Sequence, residues 1–423
     1  MNTLIKKTKE FFQDKTLRNK VIFVLIMFTL FKLLSNIPVP GINTIRLQGF
    51  LENNQFLGVL NIFAGGGLSQ LSLVMLGVGP YITASIIMQL LTVVFPRMKQ
   101  LYQEEGEAGR KQFAQYSRWL TVPLAFLQGF AILTLLERQG AIDVLTTTLK
   151  ALNIVIAVGG TMFLLWIADR LTEYGIGNGT SLIIFAGIVA AIPQQVSQFL
   201  FTYDATQLPI YILFGIIGIL VVAGVVFITE AERPIPITYA RQGAGGQLVG
   251  GNVSTYVPIR INQAGVMPII FALSILLMPQ LIGNFLVGKA GIIGTIGDKM
   301  AAFNQQSWFY AALYFAFVFF FTYFYTAVTF DPKQMSTNLS KSGGFVPGVR
   351  PGEATEKYIG DIVGRITLIG ALFLSIIAVL PLIVQKLTGV TTIAIGGTAL
   401  LIVVSVVVDI LKKSDAQLSM KSY

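Results

Sequence analysis

Two glycine-rich strings are the first places where this chain could do chemistry. "GAGGQLVGG", Gly243 to Gly251, resembles a backbone cradle for phosphate. It lacks the Gly-Lys-Ser/Thr ending of a nucleotide loop and reads as having no strand before it. "GIGNGT", Gly175 to Thr180, misses the dinucleotide spacing. The chain has no cysteine and no histidine, which removes thiol nucleophiles, imidazole bases and the commonest metal ligands. Glu137, Asp169, Glu230 and Asp409 each stand near the end of an apolar run. No paired carboxylates, metal cluster or nucleophile–base set emerges, so the expectation is no enzyme, no catalytic residue, no metal and no cofactor.

The elements that must position the remaining polar groups belong to a membrane. Of 423 residues, 54% are hydrophobic and 12% charged, about half the charged share of a soluble domain. Ten apolar runs fall at roughly 21–37, 73–94, 119–136, 152–168, 180–201, 209–229, 265–286, 308–329, 366–385 and 393–411. Each approaches the ~20 residues that cross a hydrocarbon core, and lipid offers backbone amides no water, so each is expected to be helical. The pattern predicts an all-α polytopic membrane protein with both termini on one side. The segments on that side carry 23 lysines and arginines, against six on the other. The excess places both termini in the cytoplasm. Lys32, inside the first run, can snorkel. The N-terminal "MNTLIKKTKEFFQDKTLRNK" is charged and amphipathic, without the cleavage site of a signal peptide.

The middles of the runs are nearly free of ionisable groups, which argues against a proton- or ion-coupled pump. Thr83, Ser85, Gln89, Asn178, Thr180 and Ser181 read on their own as glue between helices. Pro80, Pro123, Pro193, Pro268 and Pro381 read as kinks. Loops 230–264 and 330–365 carry turn formers and are either docking elements or connectors. "NIFAGGGLSQLS", Asn61 to Ser72, is too short and glycine-rich to cross a bilayer. It is also too apolar for an ordinary aqueous loop.

Several strings are specific. They are "IPVPGIN" (Ile37–Asn43), "PYITASIIMQLLTVV" (Pro80–Val94), "EEGEAGRKQFAQYSR" (Glu104–Arg118), "GIGNGTSLIIFAGIVA" (Gly175–Ala190), "AGVMPIIFA" (Ala264–Ala272) and "GGFVPGVRPG" (Gly343–Gly352). Over nearly its whole length the chain resembles the SecY/Sec61-alpha family, whose bacterial members form the channel of the Sec protein translocon. The resemblance implies ten transmembrane helices in two pseudo-symmetric inverted halves, 1–203 and 204–423. Between them lies a central hourglass pore with a lateral gate toward lipid, the second and third spans facing the seventh and eighth. It implies a pore ring of Val78, Ile82, Ile184, Ile270 and Ile402; a further rung falls on Thr180, where the family usually has an aliphatic residue. It places a plug at about 57–68, with Ile62, Phe63 and Ala64 apolar against the ring and Gly65, Gly66 and Gly67 as hinge. Gln89 and Asn178 align with polar positions near the gate.

The same resemblance makes Arg241 and Arg350 docking residues on the cytoplasmic loops. The partners it implies are the small membrane subunits SecE and SecG, the motor SecA, the ribosome, secretory preproteins with signal peptides, and membrane lipids. The location implied is the bacterial cytoplasmic membrane. The tip of the loop "ERPIPITYARQGAGGQLVGGN" departs from the family by being glycine-rich where basic residues are usual. Two rival readings stand beside the channel: a secondary transporter, and an insertase or scaffold without a through-pore.

Overall fold

The structure, a computed structural model, describes residues 14–41, 47, 61, 64–138, 140–201, 208–239, 253–286, 291–301, 308–388 and 396–421. A helix meets each of the ten expected apolar runs. In chain order the helices begin with α1 (Lys15–Ser35), α2 (Gly79–Val94), a short α3 (Pro96–Gln103), α4 (Gly106–Arg138), α5 (Thr147–Tyr174), α6 (Gly179–Phe201) and α7 (Leu208–Glu230). Two strands follow, β1 (Glu232–Tyr239) and β2 (Val253–Arg260). The chain continues through α8 (Met267–Leu286), α9 (Ile292–Ala301), α10 (Trp308–Thr329), α11 (Pro332–Lys341), β3 (Gly344–Phe345), α12 (Glu353–Thr388) and α13 (Gly396–Lys421). Among the described residues, five of these regions are long and apolar enough alone to cross a membrane, and α2 and α3 reach that length and apolarity only as a pair bent by 112°. α4 has 33 residues, about 50 Å at the helical rise, and so outruns a ~30 Å hydrocarbon core.

Local chemistry sets the boundaries. Asp14 caps α1 by accepting from the Thr16 amide at 2.8 Å. Asp331 caps α11, and Pro332 takes the first helical position, where its missing N–H costs nothing. Pro80 and Pro268 stand in the first turns of α2 and α8, so they start helices rather than kink them. The second span is shorter than its apolar run. Residues 64–78 form turns and an isolated bridge, and the helix begins only at Gly79.

The segment after α1 is strapped to these turns. Pro38 bridges Ser72, the Val39 amide donates to Leu71 O at 2.8 Å, and the Leu73 amide donates to Ile37 O at 3.0 Å. Asn153 of α5 donates to Pro40 O at 3.3 Å. These bonds satisfy backbone groups that would otherwise be bare among apolar side chains. Val39, Leu68 and Leu71 are buried there with Leu133, Leu136 and Ile154.

The long loops fold, which the expectation of turns did not include. β1 pairs antiparallel with β2 and, at its end, with β3, in the order β2-β1-β3. Pro234 stands opposite Pro258. Neither can donate, so both occupy the non-hydrogen-bonded class of pair. The Ile261 amide bonding to Ala231 O at 3.0 Å confirms that parity. Ile235, Ile237 and Ile259 point the other way, into a small core with Leu339 of α11, Val346, and Ile359 and Val363 of α12. A strand therefore does precede "GAGGQLVGG", although the string itself lies outside the described residues. Here the sheet side denotes the face of the helical body that carries β1–β3.

Ile237 is fully buried in this core, and Ile237→Ala should destabilise it by about 2–5 kcal/mol. The expected outcome is faster proteolysis within residues 232–260 while the helical body stays intact.

Candidate functional site

Five aliphatic residues from four helices belong to one large buried core. Val78 caps the start of α2, and Ile82 lies one turn on. Ile184 comes from α6, Ile270 from α8 and Ile402 from α13. All five are at most 6% exposed and belong to a single buried core. Branched aliphatic side chains offer ions no ligand, and a narrow passage lined by them dewets. Thr180 stands at the start of α6, its amide donating to Asn178 Oδ1 at 3.0 Å.

On the sheet side of the cluster is a cavity of about 210 Å³. Val266 and Val406 line it, each one turn from Ile270 or Ile402. Asn178, Ser181, Asn262 and Ser405 give it polar walls. Asn262 Oδ1 and Ser405 Oγ are buried without a hydrogen-bond partner.

On the opposite side lies the glycine turn. Asn61 is helical, Gly65 has φ +66 and Gly66 has φ +83. The Gly66 amide donates back to Asn61 O at 2.8 Å. This is the six-to-one bond of a helix C-cap with glycine in the left-handed position. The Asn61 side chain accepts from the Ser69 amide at 2.9 Å, and Ser69 Oγ donates to Gly66 O at 2.7 Å. Gly65 packs backbone to backbone on Gly187 of α6 and against the Phe31 ring of α1; a Cβ on either glycine would collide. Ala64 is buried; Ile62 and Phe63 lie outside the described residues.

Along α6 the three levels stack. Ser181 faces the cavity, Ile184 belongs to the aliphatic cluster, and Gly187 receives the glycine turn. A spacing of three residues keeps them on one helix face.

α8 packs against both α2 and α4. On the sheet side Gln103 Nε2 donates to Val328 O of α10 at 3.0 Å, and Gln334 Nε2 returns a bond to Gln103 O at 3.2 Å. α2 and α4 thus meet α8, and α3 is tied to α10 and α11. Gln89 lies on α2, and its Oε1 is buried without a partner. Asn178 is the N-cap of α6, accepting from the Thr180 and Ser181 amides. The rest of "GIGNGT" serves the same junction. Gly177 has φ +102, and Gly179 sits too close to Ala168 O of α5 for any side chain.

Arg350 is exposed on the loop between β3 and α12. Gly348 has φ +81 and Gly352 has φ +99. The loop is braced by Thr355 Oγ1 donating to Arg350 O at 2.8 Å and Ser336 Oγ donating to Gly352 O at 2.8 Å. Arg241 lies outside the described residues. Sequence reasoning missed Phe31 and Gly187 as neighbours of the glycine turn. The only available signal was Gly187 standing three residues beyond Ile184.

Fold and site together define a multi-pass α-helical membrane protein with a large buried aliphatic core between its helices. The chain belongs to the SecY family: the family model matches residues 72–411. The protein translocase subunit SecY of Aquifex aeolicus is 43% identical, covering 98% of this chain and 97% of that one. A solved protein-conducting channel superposes with TM-score 0.64 at 22% identity, covering 93% of this chain and 90% of that one. A structure described by the role of the SecY plug domain in stabilising the closed translocation channel and keeping a membrane seal gives 0.61 at 21%, over 93% and 90%. Sec61 in the canine ribosome–channel complex of the endoplasmic reticulum gives 0.60 at 21%, over 93% and 90%.

Asn178→Ala should remove the α6 cap and lower stability by about 0.5–2 kcal/mol, while Asn178→Ser should retain most of it. Thermal unfolding of the purified protein in detergent checks the difference.

Proposed function

We propose that the chain is a protein-conducting channel, passing unfolded secretory polypeptides across the cytoplasmic membrane and releasing signal or transmembrane segments sideways into lipid. The observation that carries this reading is the stack along α6, where polar cavity, aliphatic cluster and glycine turn follow one another on one face. In this reading residues 1–203 and 204–423 are the two halves of a clamshell. Val78, Ile82, Ile184, Ile270 and Ile402 form the pore ring. They close on themselves when idle and around an extended chain during transport, without binding any sequence through hydrogen bonds. The turn at Ala64–Gly67, with Ile62 and Phe63, is the plug.

Opening requires a ligand that favours the open state. The apolar core of a signal peptide, roughly 7–15 residues, gains free energy on reaching the lipid-facing seam between α2 and α8. Gln89 on α2 and Asn178 at the foot of α6 bias the closed state. SecE and SecG would cover lipid-facing helices. On the sheet side, taken as cytoplasmic from the lysine and arginine excess, SecA or a ribosome delivers the chain. Arg350 is held at a braced tip, where its guanidinium can fork onto a carboxylate or phosphate. Arg241 serves the neighbouring loop, whose glycine-rich tip offers few cations to ribosomal RNA.

The absence of native cysteines allows a direct test. A single cysteine at Ile82 should crosslink to a cysteine in a stalled secretory chain, whereas no crosslink from any ring position would remove the channel reading. Arg350→Glu should reduce SecA-driven translocation by at least about tenfold, consistent with losing a charge-assisted contact and adding repulsion. A wild-type rate in reconstituted vesicles would sink the docking role.

A further inference from the structure

The glycine turn rests on two helices, and one of them brings a charge. Lys32 is the only charged residue inside the apolar run of α1. It is half-buried, and a Cβ on Gly66 would lie 3.7 Å from its Nζ. The ammonium has no hydrogen bond or ion pair among the described residues. Gly66 is the residue that closes the C-cap begun at Asn61, so the ammonium stands at the carbonyl end of a helical turn. Backbone dipoles make that end electronegative, and a cation beside it is stabilising. The attraction is stronger away from bulk water.

Beside this charge the turn has a close steric fit. The preceding residue of α1, Phe31, and Gly187 of α6 both meet Gly65. Any side chain at Gly187 would push against Gly65 backbone.

We propose that Lys32 and Gly187 form the socket that holds the plug closed, Lys32 by charge and Gly187 by allowing close approach. Lys32 is a positioning residue, acting on the pore through the plug. This rests on the plug reading above and adds what retains it.

The test measures ion conductance of the purified channel in planar bilayers without substrate, together with export of a preprotein carrying a weakened signal. Lys32→Gln should raise both by roughly two- to fivefold, as expected for loss of one cation at a helix C-terminus, and Lys32→Arg should restore them. Gly187→Ala, on another helix, should leak likewise. In a channel lacking residues 60–66, Lys32→Gln should add nothing, because the group it holds is gone. A tight Lys32→Gln channel beside a leaking deletion would overturn the latch and leave the plug reading standing. A deletion that seals normally would overturn the plug reading, and the socket with it. A Lys32→Gln leak of equal size with and without residues 60–66 would overturn the latch by showing that Lys32 acts elsewhere.

Discussion

The constraint on which everything else depends is that a backbone amide in hydrocarbon must find its partner within the protein. The long helices satisfy it within themselves. Residues 64–78 form turns and a single bridge, and so have to satisfy it residue by residue. Val39 bonds to Leu71, Leu73 to Ile37, Gly66 to Asn61 and Ser72 to Gly67. This is why a stretch full of glycine can sit buried against α4, α5 and α6. The glycine turn itself is closed by its own hydrogen bonds and packs against α1 and α6.

The aliphatic cluster depends on the same arrangement. Its members come from helices scattered through the chain, and each is ordinary by itself. What distinguishes them is that α6 presents a polar level, an aliphatic level and a bare-backbone level at successive turns. A transporter site would place polar groups at the middle level, whereas here the middle level is the dry one. Two of the buried oxygens without a partner, on Asn262 and Ser405, belong instead to the cavity on the sheet side.

Much of this was open to a reader of the sequence, because hydropathy reports directly on burial in lipid. Every expected apolar run met a helix. The run at 73–94 overshot because Leu73, Val74, Met75 and Leu76 are apolar for another reason: they pack in protein as turns. Hydropathy cannot separate burial in lipid from burial in protein. Pro80 and Pro268 read as kinks in the sequence because a proline near the end of an apolar run does not announce where the helix begins. The sheet was missed because β1 alternates isoleucine with proline, and proline usually argues against a strand. The socket was invisible for a simpler reason. Phe31, Lys32, Gly65 and Gly187 are brought together by tertiary packing, and no local pattern records it.

The prolines of β1 have a consequence for the surface they help build. Because Pro234 and Pro236 occupy the pairs in which amides face away from β2, the outer edge of β1 lacks two of its donors just where β3 does not cover it. An exposed strand edge on a membrane protein that handles unfolded chains would invite those chains to add as further strands. Here the edge is chemically blunted. An extended chain laid along this edge of β1 finds no amide at Pro234 or Pro236 to bond.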